Sequence, residues 1–156
     1  MWFAVVPSQE TKKPVGFIHF RFVYEETVEV LYVYEIQLEE EVQRKGIGKF
    51  LMQACELIAK QNKMLGIMLT CSKNNTAGME FYLRKLQYTI DCISPSYVNP
   101  AEDYGYEIIS KIFDEKARRR LQMQADEARE EFLDGSDSDS EEVESDEAPV
   151  AANDLD

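Results

Sequence analysis

Apolar and polar positions change period several times along this chain, and each change marks an element. Residues 2–6 are apolar and read as a strand, followed by a polar turn from Ser8 to Pro14. Residues 15–24 (VGFIHFRFVY) alternate as a half-buried strand does. Residues 28–38 (VEVLYVYEIQL), rich in Val, Ile and Tyr, predict a long strand. Three strands joined by short turns imply an antiparallel meander. Residues 39–45 form a charged loop, and from Gly46 the period becomes helical. Ile47, Phe50, Leu51, Ala54, Leu57 and Ile58 share one face of a helix running to about Asn62. The short apolar run GIMLTC (66–71) then reads as a buried strand, parallel to the one before the helix. A second helix is expected over 75–86, with Phe81, Leu86 and either Met79 or Tyr82 facing inward. A strand over 87–93, a loop over 94–105 with two prolines and a glycine, and a last strand over 106–113 complete a mixed α/β domain at 1–113.

Beyond that domain the pattern weakens. Residues 114–133 are charged and helix-prone, with only a thin stripe of Ala117, Leu121, Ala125 and Ala128, and are read as a solvated helical extension. Residues 134–156 are acidic, Ser-rich and poor in large apolar side chains, which predicts a disordered tail. Ser136, Ser138, Ser140 and Ser145 lie among its acids; its plainest role is to solubilise.

Charge sharpens this division. Residues 1–133 carry 17 Lys+Arg against 20 Asp+Glu, whereas 134–156 hold ten acids and no base. No broad basic surface is available for direct nucleic-acid binding, and an acidic tail suits a basic partner. The three cysteines, an odd number without CxxC spacing, point to reduced thiols in the nucleus or cytoplasm and to no metal site. No apolar run reaches the ~20 residues of a membrane span, and no basic region precedes the short apolar start.

The segment that carries chemistry is Gln43-Arg44-Lys45-Gly46-Ile47-Gly48-Lys49-Phe50, between a long strand and a helix. Two glycines allow a tight turn and close backbone approach to a ligand. Successive N–H groups at a helix N-terminus form an anion site, and Arg44, Lys45 and Lys49 add positive charge. Cradling of a pyrophosphate is the implied chemistry; an ordinary tight loop is the alternative. No GK[ST] follows, so this is not a Walker A loop, and the third glycine of a dinucleotide fingerprint is missing.

The Q-x-x-G-x-G pattern after a long strand resembles the acetyl-CoA pyrophosphate motif of GNAT-superfamily N-acetyltransferases. Asn75-Thr76-Ala77-Gly78-Met79-Glu80-Phe81-Tyr82 resembles the family's second signature helix, with Gly78 in place of the usual Ala. Within the superfamily, FIHFRF (17–22), EVLYVYEIQLE (29–39) and QRKGIGKFL (43–51) are most similar to the histone-specific N-alpha-acetyltransferases of the D type. The resemblance implies the GNAT fold and acetyl-CoA as cosubstrate, held by backbone at Gln37, Leu38 and Lys45, Gly46, Ile47, Gly48, Lys49 and Phe50, with Asn75 beside the pantetheine. It implies a peptide groove lined by Tyr24, Tyr32, Tyr34, Thr70 and Tyr106. Glu35 would bind or deprotonate the incoming α-amine, and Tyr82 would return a proton to the leaving thiolate. The implied partners are histone four and histone two-A tails starting Ser-Gly-Arg-Gly, met by a monomer in nucleus and cytoplasm.

Blander readings stand beside these. A Glu in a Tyr-rich strand commonly pairs with a cross-strand cation, and the tyrosines serve as packing residues. His19, the only histidine, is expected to be structural, and Arg118-Arg119-Arg120 a solvated helix face. Two departures from the family pattern count. The strand and helices that precede Met1-Trp2-Phe3 in the family are missing, as in a truncated form, and Val23 stands where the family has an acid. A GNAT acting on lysine or a small amine, or an inactive form that binds histones, therefore remain as alternatives.

Overall fold

The computed structural model describes residues 1–134. Six strands, β1 (Trp2–Pro7), β2 (Pro14–Glu25), β3 (Val28–Leu38), β4 (Gly66–Ser72), β5 (Thr89–Ile90) and β6 (Tyr106–Ile112), make one mixed sheet in the order β1-β2-β3-β4-β6-β5. The meander β1, β2 and β3 is antiparallel, as its short turns dictate. The β2–β3 turn is strained. Glu26 and Thr27 both have positive φ (41° and 76°), and for a β-branched residue this costs about 1–3 kcal/mol. Thr27 Oγ1 is hydrogen-bonded to Gln124 of the C-terminal helix at 3.1 Å, which ties the turn down.

Helix α1 (Ile47–Gln61) crosses from β3 to the parallel strand β4 (Gly66–Ser72). Its phase differs from the one read off the sequence. Phe50 and Leu57 are exposed, and Gly48, Leu51, Met52, Cys55 and Ala59 face the sheet. The small residues in that line let the helix backbone lie close to the strands. They pack on Ile18, Phe20, Leu31, Val33, Ile36 and Leu38 to form the main core.

The expected second helix divides into α2 (Thr76–Glu80) and a π-helical turn over Phe81–Lys85, with both Phe81 and Tyr82 buried. The strand expected over 87–93 shrinks to β5 (Thr89–Ile90), because Asp91 turns the chain: its Oδ1 accepts from the N–H of Ile93. A short helix, α3 (Pro95–Val98), stands inside the predicted loop. Strand β6 (Tyr106–Ile112) returns between β4 and β5.

The C-terminal segment departs most from expectation. It forms α4 (Glu115–Asp134), and its thin stripe is a buried seam rather than a solvated face. Ala117 and Leu121 pack on Val28, Val30, Tyr32, Met68 and Ile112, covering the second face of the sheet, and Ala125 is buried with them. A stripe of alanines suffices because alanine lets the helix sit close to the strands. The predicted acidic tail lies, beyond Asp134, outside the described residues.

Candidate active site

Strands β3 and β4 pair only from Val30↔Gly66 to Val33↔Leu69. Beyond that β3 continues to Leu38 and β4 to Ser72 without pairing to each other, so the sheet splits into a V. The split begins where β3 carries a bulge. The β2–β3 register steps from His19↔Glu35 to Phe20↔Val33 and leaves Tyr34 as the extra residue. One extra residue reverses the side on which every later side chain emerges. Leu31 and Val33 face the main core, and so do Ile36 and Leu38 after the bulge. Glu35 and Gln37 are thereby turned out of the core, to the side of Tyr32 and Tyr34.

That side carries the sequence-predicted residues Tyr32, Tyr34, Glu35, Thr70 and Tyr106, of which Tyr32 meets Tyr34 and Thr70. Tyr32 and Tyr34 have ring centroids 5.1 Å apart, and the Tyr32 hydroxyl shares a 2.5 Å hydrogen bond with Thr70 Oγ1. Burial pushes the Tyr32 phenol up to about 12, against the opposing pull of that bond, so it is neutral at physiological pH. Glu35 Oε1 accepts from Gln37 Nε2 at 2.8 Å. Across the strand, His19 stacks between Phe3 (4.5 Å) and Tyr34 (5.3 Å), with Arg21 over the Tyr34 ring at 4.8 Å. The His19 imidazole titrates below its ordinary value, chiefly through burial and then through Arg21, with Glu35 opposing. Tyr24 does not join the group. Strand alternation puts it on the opposite face, 69% exposed.

At the far end of β3, about 10 Å from Glu35 at 3.3 Å per residue, lies the glycine loop. Gly46 takes φ 82° as the N-cap of α1, a conformation that a Cβ would strain. No side chain caps this N-terminus, so its first N–H groups are open to a ligand. A cavity of about 330 Å³ sits there, lined by Leu38, Arg44, Gly46, Gly48, Lys49, Phe81 and Lys85. Gln43 Nε2 donates to the Leu38 carbonyl at 3.0 Å and folds the loop back onto the strand. Lys45 does not line this cavity; Phe81 and Lys85 do, and they were not foreseen. Their signal was present, since the basic residues Arg84 and Lys85 end the second motif helix.

Asn75 caps α2, its Oδ1 accepting from the Gly78 N–H at 2.8 Å. A Cβ on Gly78 would lie within 2.6–2.9 Å of that side chain, which accounts for glycine where the motif usually has alanine. Tyr82 is fully buried, its ring edge-on to Phe81 and Tyr88. The loop that leads into β6 is clamped to the sheet. Buried Glu107 accepts from Ser94 Oγ (2.5 Å) and Ser96 Oγ (2.7 Å), and Lys73 pairs with Asp103 at 2.7 Å. Among the described residues there is no cluster of His, Cys, Asp and Glu able to hold a metal ion, and no helix long and apolar enough to cross a membrane.

A split between parallel strands, with a bulge on one side and an uncapped glycine-loop helix at its mouth, agrees with a match of residues 2–88 to the model of the Acetyltransferase (GNAT) family. The chain belongs to the GNAT acetyltransferase family. Solved structures also superpose on it. A protein from Bacillus anthracis described as a streptothricin acetyltransferase, solved with acetyl coenzyme A, is 26% identical with TM-score 0.53, over 67% of this chain and 59% of that one. Ard1 from Thermoplasma volcanium is 24% identical with TM-score 0.51, covering 67% of each chain. Arabidopsis thaliana Naa50, solved with the bisubstrate analogue CoA-Ac-MVNAL, is 24% identical with TM-score 0.51, over 64% of this chain and 66% of that one. The chain thus spans about three fifths of the Bacillus acetyltransferase.

Proposed function

We propose that this chain transfers the acetyl group of acetyl-CoA to the N-terminal α-amine of a protein, with histone four and histone two-A, starting Ser-Gly-Arg-Gly, as the favoured substrates. The observation that carries the reading is the bulge at Tyr34, which turns Glu35 out of the core at the mouth of the V. A carboxylate, three tyrosines and Thr70 then surround the point where an amine entering one side of the V would meet a thioester entering the other.

The glycine-loop cavity fits a pyrophosphate. It joins uncapped N–H groups of α1 to Arg44, Lys49 and Lys85, and the Bacillus structure holds acetyl coenzyme A on the same fold. Bound acetyl-CoA supplies an activated acyl carbon and a good leaving group. Glu35 takes a proton from the ammonium, whose ordinary pKa of about 7.7–8 makes this a small task near neutral pH. The amine nitrogen then attacks the carbonyl carbon and forms the new amide as the carbon–sulfur bond breaks, shedding a second proton that replaces the one sulfur takes up. The extra residue of the bulge stands outside the strand ladder, which frees backbone N–H for the charge developing on the carbonyl oxygen. Tyr82 is assigned the return of a proton to sulfur. Because its side chain is buried, that role requires the thiolate to approach between β4 and the π-helical turn. We assign the activity to a monomer in nucleus and cytoplasm, where three reduced thiols are at home.

A second reading, acetylation of a small amine, is favoured by the 26% identity to the Bacillus streptothricin-type protein. One assay separates the two: thiol release from acetyl-CoA with a Ser-Gly-Arg-Gly peptide, the same peptide N-terminally blocked, and streptothricin. Turnover confined to the free N-terminus, falling at least ~100-fold in Glu35→Gln, is the expected outcome. Turnover on streptothricin or on the blocked peptide alone transfers the assignment to side-chain or small amines. No turnover by folded protein that binds acetyl-CoA leaves the chain a binding protein.

A further inference from the structure

A groove of about 310 Å³ runs between α3 and α4. Tyr106, on the same face of the sheet as Tyr32 and Thr70, is among its lining residues. Its walls include Val98, Tyr104 and Phe132, with Glu26 and Gln124 at the edge. Two of these aromatics are poorly covered: Tyr104 is 45% exposed and Phe132 54%. The walls are fixed in place. Tyr97 on α3 donates to Asp126 (2.6 Å), accepts from Gln122 (2.7 Å) and lies under Arg129 (5.1 Å), so three successive turns of α4 hold one tyrosine.

Charge says what such a groove suits. Residues 1–123 balance 16 basic against 16 acidic side chains, and the whole net charge of −13 arises from residue 124 onward, where 14 acids face Arg129 alone. The groove's outer wall is thus the start of the strongly acidic part of the chain. Glu26 adds another carboxylate to its lining. Exposed aromatic faces rimmed by carboxylates bind the aliphatic stems and cationic heads of Lys and Arg. The Arg129–Tyr97 pair is the same contact made within the chain.

We infer that the α3–α4 groove is an exosite for a basic peptide segment, the stretch that follows the acceptor N-terminus in the substrate protein, with the acidic C-terminal residues drawing that segment in. This rests on the proposed reaction only for the direction of the peptide. The aromatic groove, its contact with Tyr106 and the charge step at residue 124 stand without it.

The test uses the full chain and two substitutions outside the reaction site, Tyr104→Ser and Phe132→Ser, together and singly, with circular dichroism to verify folding. The probes are a Ser-Gly-Arg-Gly tetrapeptide, the same start extended by Lys- and Arg-rich residues, and a fluorescein-labelled, N-terminally blocked copy of the extended peptide. The expected result is a KM at least ~10-fold lower for the extended peptide than for the tetrapeptide. That advantage disappears in the double variant, while tetrapeptide kinetics and kcat stay unchanged. The blocked peptide is expected to bind wild type in a salt-sensitive way and to lose at least ~10-fold in the variant. Equal KM for both peptides, or equal loss on both in the variant, overturns the exosite. So does binding that survives replacement of every Lys and Arg by Gln, which assigns the groove to an apolar partner. If no peptide is turned over, the acetylation reading fails by itself, and binding of the blocked peptide still decides the groove.

Discussion

Side-chain parity at Tyr34 decides what β3 can do. With regular pairing Glu35 would continue the inward series of Leu31 and Val33 and bury a carboxylate in the main core; the extra residue hands the inward places to Ile36 and Leu38 instead. Sequence alone carried this information in the apolar series 31, 33, 36, 38, where the even spacing slips once. Another carboxylate is less well placed. Glu25, next to the strained turn, titrates above its ordinary value because of burial first, and then of Glu26 and Asp91. The folded chain therefore holds this proton to higher pH than the unfolded chain. Its contribution is present below the ordinary value of 4.5 and is lost as pH rises through the raised value. Glu25→Gln is expected to raise Tm near neutral pH and to flatten its fall on leaving acid. A Tm–pH curve with the same slope as wild type would show that Glu25 is not the source.

At the level of elements, α4 was the poorest forecast and offers the clearest test. Leu121 is 1% exposed against the second face of the sheet. Leu121→Ala is expected to cost about 2–5 kcal/mol in urea unfolding, against less than ~0.5 kcal/mol for a solvated extension. The strands were legible because alternation is strong in residues 15–24 and 28–38. The parallel β4 was legible because a short apolar run followed a helix. What escaped notice depended on partners distant in sequence. The charged pattern of α4 shows how little apolar surface it has, but not that Val28, Val30 and Met68 wait for it. Strand β5 was overestimated because nothing local reveals the turn that Asp91 makes. At the site, the glycine loop was readable from residue types alone, and Glu35 became a candidate through family resemblance. Lys85 joined the cavity only when the π-helical turn was folded beside the start of α1.

Across the whole molecule, two cores lie on opposite faces of one sheet and share its strands, so they should fail together. The cysteines report on this. Cys55 and Cys71 are 1% and 0% exposed in the main core, and burial, with Glu56 adding, pushes the Cys55 thiol up to about 12. A thiol reagent near neutral pH is expected to label them only through unfolding. Leu121→Ala, on the other face, is expected to speed Cys55 labelling in proportion to its loss of stability. Unchanged labelling would mean that α4 detaches by itself. The V between β3 and β4 has a mechanical meaning as well. Only four residue pairs join the three-stranded meander to the rest of the sheet, and α1 bridges the same seam from above. A load that separated the chain's two halves would unzip it there, beginning at the open end where the ladder has already been given up to make room for chemistry.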